Sequence, residues 1–177
     1  GFLSWVGLAY GFKWCWSPLV DRLPIPLFTR LLGRRRSWLL LAQLMVVCGL
    51  VGMAFSDPKI ALMPIVWFAL LTAFGSATQD IALDAFRIES ADVDHQAALA
   101  AAYQTGYRLA MIWAGAGVLW IAARAEVANP ANYDPNSWKI AYLVMAASMA
   151  VGFVTVLFSR EPAMKPIAPS KNIGEWL

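Results

Sequence analysis

The sequence predicts an all-α membrane protein with five transmembrane helices, and three observations carry that prediction. Hydrophobic residues make up 60% of the chain and charged residues only 14%, a balance outside that of soluble domains. Apolar residues fill windows of roughly 20 residues on every face, where a soluble helix keeps one polar face. The basic residues gather at the ends of these windows, which is a membrane topology signal and not the basic surface of a nucleic-acid binder. No nucleic-acid partner is expected, despite a net charge of +3.

The elements follow in order. The first helix is expected over residues 1–20; it opens GFLSWVGLAYGF, without Met or signal-peptide design, so the chain is expected to begin part-way through a longer protein. The second is expected over 37–55 and closes at Ser56-Asp57-Pro58-Lys59, a tight connection with a helix-start signal. The third is expected over 60–87 and the fourth over 98–123. Asn129-Pro130, Asp134-Pro135 and Asn136 mark a loop before the fifth, expected over 138–158. Residues 1–160 thus form the bundle, and 161–177, containing EPAMKPIAPSKN, a Pro-rich cytoplasmic linker. Cys15 and Cys48 fall inside apolar segments and read as buried free thiols. Gly49 with Gly52, and Gly115 with Gly117, read as helix-packing surfaces, and most tryptophans as interfacial anchors.

Orientation comes from counting Lys and Arg by side. Arg22, Arg30, Arg34, Arg35, Arg36, Arg87, Arg160, Lys165 and Lys171 share one side, against Lys59, Arg124 and Lys139 on the other. By the positive-inside rule the first side is cytoplasmic, and the first helix enters from outside.

Ionisable residues inside the expected helices are few: Lys13, Asp80, Asp84 and Arg108, with Arg87 at an edge. Each costs at least about 2.5 kcal/mol at a bilayer centre, so each should face protein or water; Asp80 and Arg108 read as marks of a transport or proton pathway, whereas Asp84 and Arg87 read equally as an interfacial ion pair with the loop charges. Counted from Pro64 at about 1.5 Å per residue, Asp80 lies roughly 24 Å along its helix and Asp84 roughly 30 Å. Arg108 is expected near the midplane. Asp80, Asp84 and Arg87 share one helical stripe, Gln104 and Arg108 another, with Tyr103 and Tyr107 on an adjacent one, so two polar stripes can line one cavity. The simpler structural role for Asp80 is a bridge to Lys13 or Arg108. A carboxylate in low dielectric favours its protonated form and a neighbouring cation opposes this, which is a workable proton-coupling element. His95, in "ADVDHQAA" with Asp92 and Asp94, reads as a solvated turn. Neither a nucleophile elbow nor zinc spacing nor a phosphate-cradling glycine loop is present, and no metal or cofactor is expected.

The stretch "SPLVDRLPIPLFTRLLGRRRSW" resembles the acidic-basic, Gly and multi-Arg signature of the major facilitator superfamily, here lengthened by an insert with Pro24 and Pro26. "AYGFKWCWSPLVDR", "GRRRSWLL", "SATQDIALDAFRIE" and "YRLAMIWAGAGVLWIA" resemble, in order, segments of AmpG-type muropeptide permeases. The resemblance implies helices two to six of a twelve-helix carrier, most of its N-terminal six-helix half, with the first helix and the C-terminal half as missing partners. It implies proton-coupled import of anhydro-muropeptides, cell-wall recycling products, from periplasm to cytoplasm across the bacterial inner membrane. In the same terms Asp80 and Asp84 couple protons, and Lys13, Gln79, Tyr103, Gln104, Tyr107 and Arg108 bind substrate. Asp21, Arg22, Gly33, Arg34, Arg35 and Arg87 belong to the gating loop.

Two other classes fit part of the pattern. Asp80 and Asp84 form a D-x-x-x-D pair of the kind that holds Mg²⁺ and a diphosphate in membrane prenyltransferases, although Ser76 stands where such enzymes commonly place Asn and no second acidic pair occurs at helical depth. A non-catalytic membrane subunit is the third reading.

Overall fold

The computed structural model describes residues 7, 11–25, 28–90, 92–126 and 135–162. Among the described residues six helices follow one another: α1 Lys13–Arg22, α2 Phe28–Leu32, α3 Arg34–Ala54, α4 Leu62–Ser90, α5 Val93–Ala125 and α6 Pro135–Phe158. Among the described residues four of them, α3 to α6, are long and apolar enough to cross a membrane, where five spans are expected. The difference lies at the first span: α1 is ten residues long, and most of residues 1–10 fall outside the described residues.

Helix ends differ from the hydropathy reading because helices continue past the apolar window. α3 starts at Arg34, three residues before the expected Ser37, since Gly33 takes a left-handed φ of +92° that turns the chain into the helix. α4 runs on to Ser90, which brings Glu89 into the helix. α5 begins at Val93 and not Ala98, with Asp92 at the capping position in extended geometry. Pro135 and Asn136, expected in the loop, open α6; a proline at the first helical position loses no helical hydrogen bond. The rest of that loop, with Asn129, Pro130 and Asp134, lies outside the described residues, as does the linker beyond Pro162.

α3 is the hub, packed along both α4 and α6, while α1 lies on α4 and α5 leans on α6. Small residues permit the close approach of α3 and α4. A Cβ on Gly49 would overlap the Thr72 side chain, one on Gly52 the Phe68 ring, and one on Gly75 would sit 3.1 Å from the Ala42 carbonyl oxygen. Toward the arginine-rich end, Val20, Leu39, Leu40, Ala82 and Val156 close a common core drawn from α1, α3, α4 and α6.

Three expectations are corrected. Gly115 faces open space and Gly117 abuts Trp113 of its own helix, because Trp113–Gly117 forms a wide π turn within α5 and not a packing surface. Cys15 and Cys48 are free, but they are exposed on the outer sides of their helices and not buried. α5 also stands apart from α4 over most of its length, and none of its residues from Val93 to Ile112 is buried.

Candidate functional site in the membrane and at the arginine-rich end

The membrane-embedded cluster is built from three helices. On α1, Trp16 donates its indole N–H to Thr78 Oγ1 at 3.2 Å and packs its ring 4.7 Å from that of Phe74. Val20, four residues on, is fully buried. Lys13 precedes Trp16 by three residues and so lies on the same face, toward α4. There it shares an open cleft of about 300 Å³ with Ser17, Asp21 and Asp84. The charges that act on Asp80 are those of Lys13 and Asp84. Of the two cations that the sequence offers Asp80, Lys13 is the one whose charge acts on it, and no ion pair joins the two among the described residues.

On α4, Asp80, Asp84 and Arg87 recur on one side, each partly buried. Arg87 approaches Asp84 Oδ1 at 3.5 Å, one helical turn away. Its guanidinium also lies 5.3 Å from the centre of the Tyr103 ring on α5, and Tyr103 stacks on Tyr107 at 6.3 Å. Tyr103 feels the charges of Asp80, Asp84 and Arg87, so it is the α5 residue that joins the α4 stripe. Gln79 is partly buried, one residue away from Asp80 around the helix. Gln104, Tyr107 and Arg108 are exposed. The Gln104 and Arg108 stripe is thus not brought onto Asp80 by the described residues; it lies on an open side of α5. His95 is exposed in the first turn of α5.

At the arginine-rich end, Arg35 is 6% exposed and draws three segments together. Its Nε donates to Glu89 Oε2 at 3.0 Å, one terminal nitrogen donates to Glu89 Oε1, and the other donates to Asp21 Oδ1 at 2.7 Å. This two-point fork on Glu89 uses the planar geometry that only arginine has. Arg34 lies 4.0 Å from the same Glu89 carboxylate. Arg22 ends α1, and its side chain is outside the described part.

A second tie joins α3 to the end of α6. Glu161 accepts the backbone N–H of Arg35 at 2.8 Å and of Arg36 at 3.2 Å, satisfying two of the amides left open at a helix start. Arg36 answers by donating to the carbonyl oxygens of Val156 at 2.8 Å and Leu157 at 2.6 Å, the last open carbonyls of α6. Gly33 leaves room for this: a Cβ there would collide with the Glu161 side chain.

Glu89, Arg36 and Glu161 are the residues that the sequence reading passes over. Arg36 counts there only toward topology. Glu89 stands beyond the expected end of its helix, and Glu161 reads as linker. The available signal was the opposition of lone acidic residues just after two spans to a triple-arginine run opening a third.

No family model matches the chain, and no solved structure matches it. It is 36% identical over 162 residues to the anhydromuropeptide permease of Escherichia coli K12, an alignment covering 92% of this chain and 30% of that protein. It is 34% identical over 154 residues to a protein of Rickettsia felis named as transporter AmpG 4, covering 87% and 35% respectively. An uncharacterized protein of Haemophilus influenzae is 37% identical over 164 residues, covering 92% and 35%. The chain spans about a third of the length of these curated relatives. Its named homologues are permeases and transporters, which sets aside the diphosphate-enzyme alternative. The chain is a multi-pass membrane segment homologous to the AmpG-type anhydromuropeptide permeases, at about 35% identity over about nine-tenths of its own length.

Proposed function

We propose that this chain forms part of a proton-coupled secondary carrier that imports anhydro-muropeptides from periplasm to cytoplasm across the bacterial inner membrane, with the arginine-rich end on the cytoplasmic side. The observation that carries the reading is the convergence of Lys13 from α1, Asp80 and Asp84 from α4 and Tyr103 from α5 within apolar helices. Ionisable groups at such positions are costly to insert and are kept where they move ions or hold polar cargo. The name of the Escherichia coli relative supplies the substrate class.

The chemistry runs through Lys13. In the resting segment Lys13 is the cation whose charge acts on Asp80. A muropeptide carboxylate arriving at Lys13 competes for that cation, and an Asp80 left half-buried without it takes up a proton. Binding and protonation are thereby linked without a covalent step. Asp84, held by Arg87 at 3.5 Å, serves as the second proton station. Arg108 offers a second cation for substrate carboxylates, Gln79 and Gln104 their amide groups, and Tyr103 and Tyr107 flat faces for sugar rings. Asp21, Arg22, Gly33, Arg34, Arg35 and Arg87 regulate opening at the cytoplasmic end, through the ties of Arg35 to Asp21 and Glu89.

The test is uptake into vesicles holding a carrier that contains this segment, driven by an imposed proton gradient. Asp80→Asn is expected to abolish gradient-driven uptake of anhydro-muropeptide while leaving the protein inserted, and to leave exchange without a gradient in place. Full gradient-driven uptake by Asp80→Asn removes Asp80 from the coupling role.

A further inference from the structure

At the end opposite the arginine-rich loop, the last turn of α3 and the first turns of α4 and α6 enclose a groove of about 370 Å³. Met53, Leu62, Ile65 and Tyr142 supply apolar walls, and Trp138 and Lys139 also line it. Lys139 is the only charged residue among the described lining. Its ammonium lies 4.5 Å from the centre of the Phe55 ring, and the rings of Trp138 and Tyr142 are 6.3 Å apart. The surroundings are apolar as well: Phe55, Ile60, Met63 and Trp67 are all exposed. The groove therefore opens onto a belt of the kind that sits at the membrane boundary, with one cation at its polar edge.

These features specify an amphipathic, negatively headed occupant. An apolar cleft between spans takes an acyl chain, and a cation at headgroup level, with no carboxylate among the described lining, takes a phosphate. The size falls in the range of specific small-molecule sites, roughly 300–1,000 Å³. We propose that this groove binds one anionic phospholipid of the surrounding bilayer, with Lys139 holding the headgroup phosphate and the cleft between α3, α4 and α6 holding an acyl chain. On binding, Lys139 exchanges the Phe55 ring face for the phosphate, and the acyl chain lies in the cleft between α4 and α6 beside the end of α3. The site is independent of the carboxylate cluster, so it stands whether or not Asp80 couples protons.

The experiment is native mass spectrometry of the purified 177-residue chain in detergent, titrated with phosphatidylglycerol or with phosphatidylcholine of the same acyl chains. The parent chain is expected to retain one phosphatidylglycerol in preference to phosphatidylcholine. Lys139→Gln is expected to weaken retention about fivefold, the worth of one cation near a headgroup. Leu62→Trp, which fills the cleft and keeps the charge, is expected to weaken both lipids. Arg124→Gln, a cation on α5 outside the groove, is expected to change nothing. Equal retention by Lys139→Gln and the parent overturns the proposal, as does an equal loss in Arg124→Gln or equal binding of the two lipids. A second copy of the chain, seen as a dimer that excludes lipid, also overturns it. Should Leu62→Trp lose its helical circular dichroism, Lys139→Gln decides alone.

Discussion

Removing the Arg35 guanidinium tests how the arginine-rich end is held. The Arg35 side chain is 7% exposed, whereas Glu89 is 25% and Asp21 40% exposed. Breaking a fully buried pair by removing one partner costs about 3–5 kcal/mol. Both carboxylates here are open to water on one side, so they regain solvent once the arginine is gone, and Arg35→Met is expected to cost about 2 kcal/mol. Glu89→Gln keeps one acceptor for the fork and is expected to cost about 1 kcal/mol. Asp21→Asn, the most exposed partner, is expected to cost less than about 1 kcal/mol. Arg35→Lys keeps the charge and loses the fork, and is expected to fall between Arg35→Met and Asp21→Asn. The assay is reversible unfolding of the chain in mixed detergent and dodecyl sulfate micelles, followed by tryptophan fluorescence. A cost for Asp21→Asn equal to that of Arg35→Met, with none for Glu89→Gln, would refute this, since the bond to α1 and not the fork to α4 would then dominate.

The other predictions use the same unfolding assay unless stated. Glu161→Ala removes a helix cap and is expected to cost about 1 kcal/mol, Glu161→Gln less, and amide hydrogen exchange at Arg35 and Arg36 should quicken in both. Gly33→Ala forces a side chain into a left-handed φ and against Glu161, so a loss above about 1 kcal/mol is expected, and Glu161→Ala should relieve only the steric part. Thr78→Val leaves the Trp16 indole N–H without its acceptor and is expected to cost about 1 kcal/mol and shift Trp16 emission. Gly49→Leu is expected to separate α3 from α4, detected as lost protection of Thr72 and its neighbours.

Long apolar runs made α3, α4 and α6 legible from the sequence, because in a bilayer hydropathy and helix length are tied to one thickness. Their ends were less legible. Arg34 and Glu89 belong to helices yet lie outside any apolar window, and their partners lie 54 residues away or more along the chain. The carboxylate stripe was readable for a similar reason: Asp80, Asp84 and Arg87 sit on one helix, where periodicity fixes the angle, and Arg87 does meet Asp84. What periodicity cannot supply is the neighbour that a stripe faces. The Lys13 charge acts on Asp80 from α1, which Trp16 docks on Thr78, and Arg108 is exposed on α5, which rests on α6. The Gly115 and Gly117 pair shows the same limit, since its spacing suits a packing notch and a π turn equally well.

That wide turn has an architectural effect on α5. Inserting one extra residue into a helical turn rotates everything beyond it by roughly 100°. Trp113, at the start of the turn, donates its indole N–H to Ser148 Oγ of α6 at 3.0 Å, and Ala122 beyond it is buried. The half of α5 carrying Tyr103 is therefore out of phase with the half seated on α6. One rod thus addresses two different sides of the molecule, its tyrosine pair turned to a different azimuth from its anchored half.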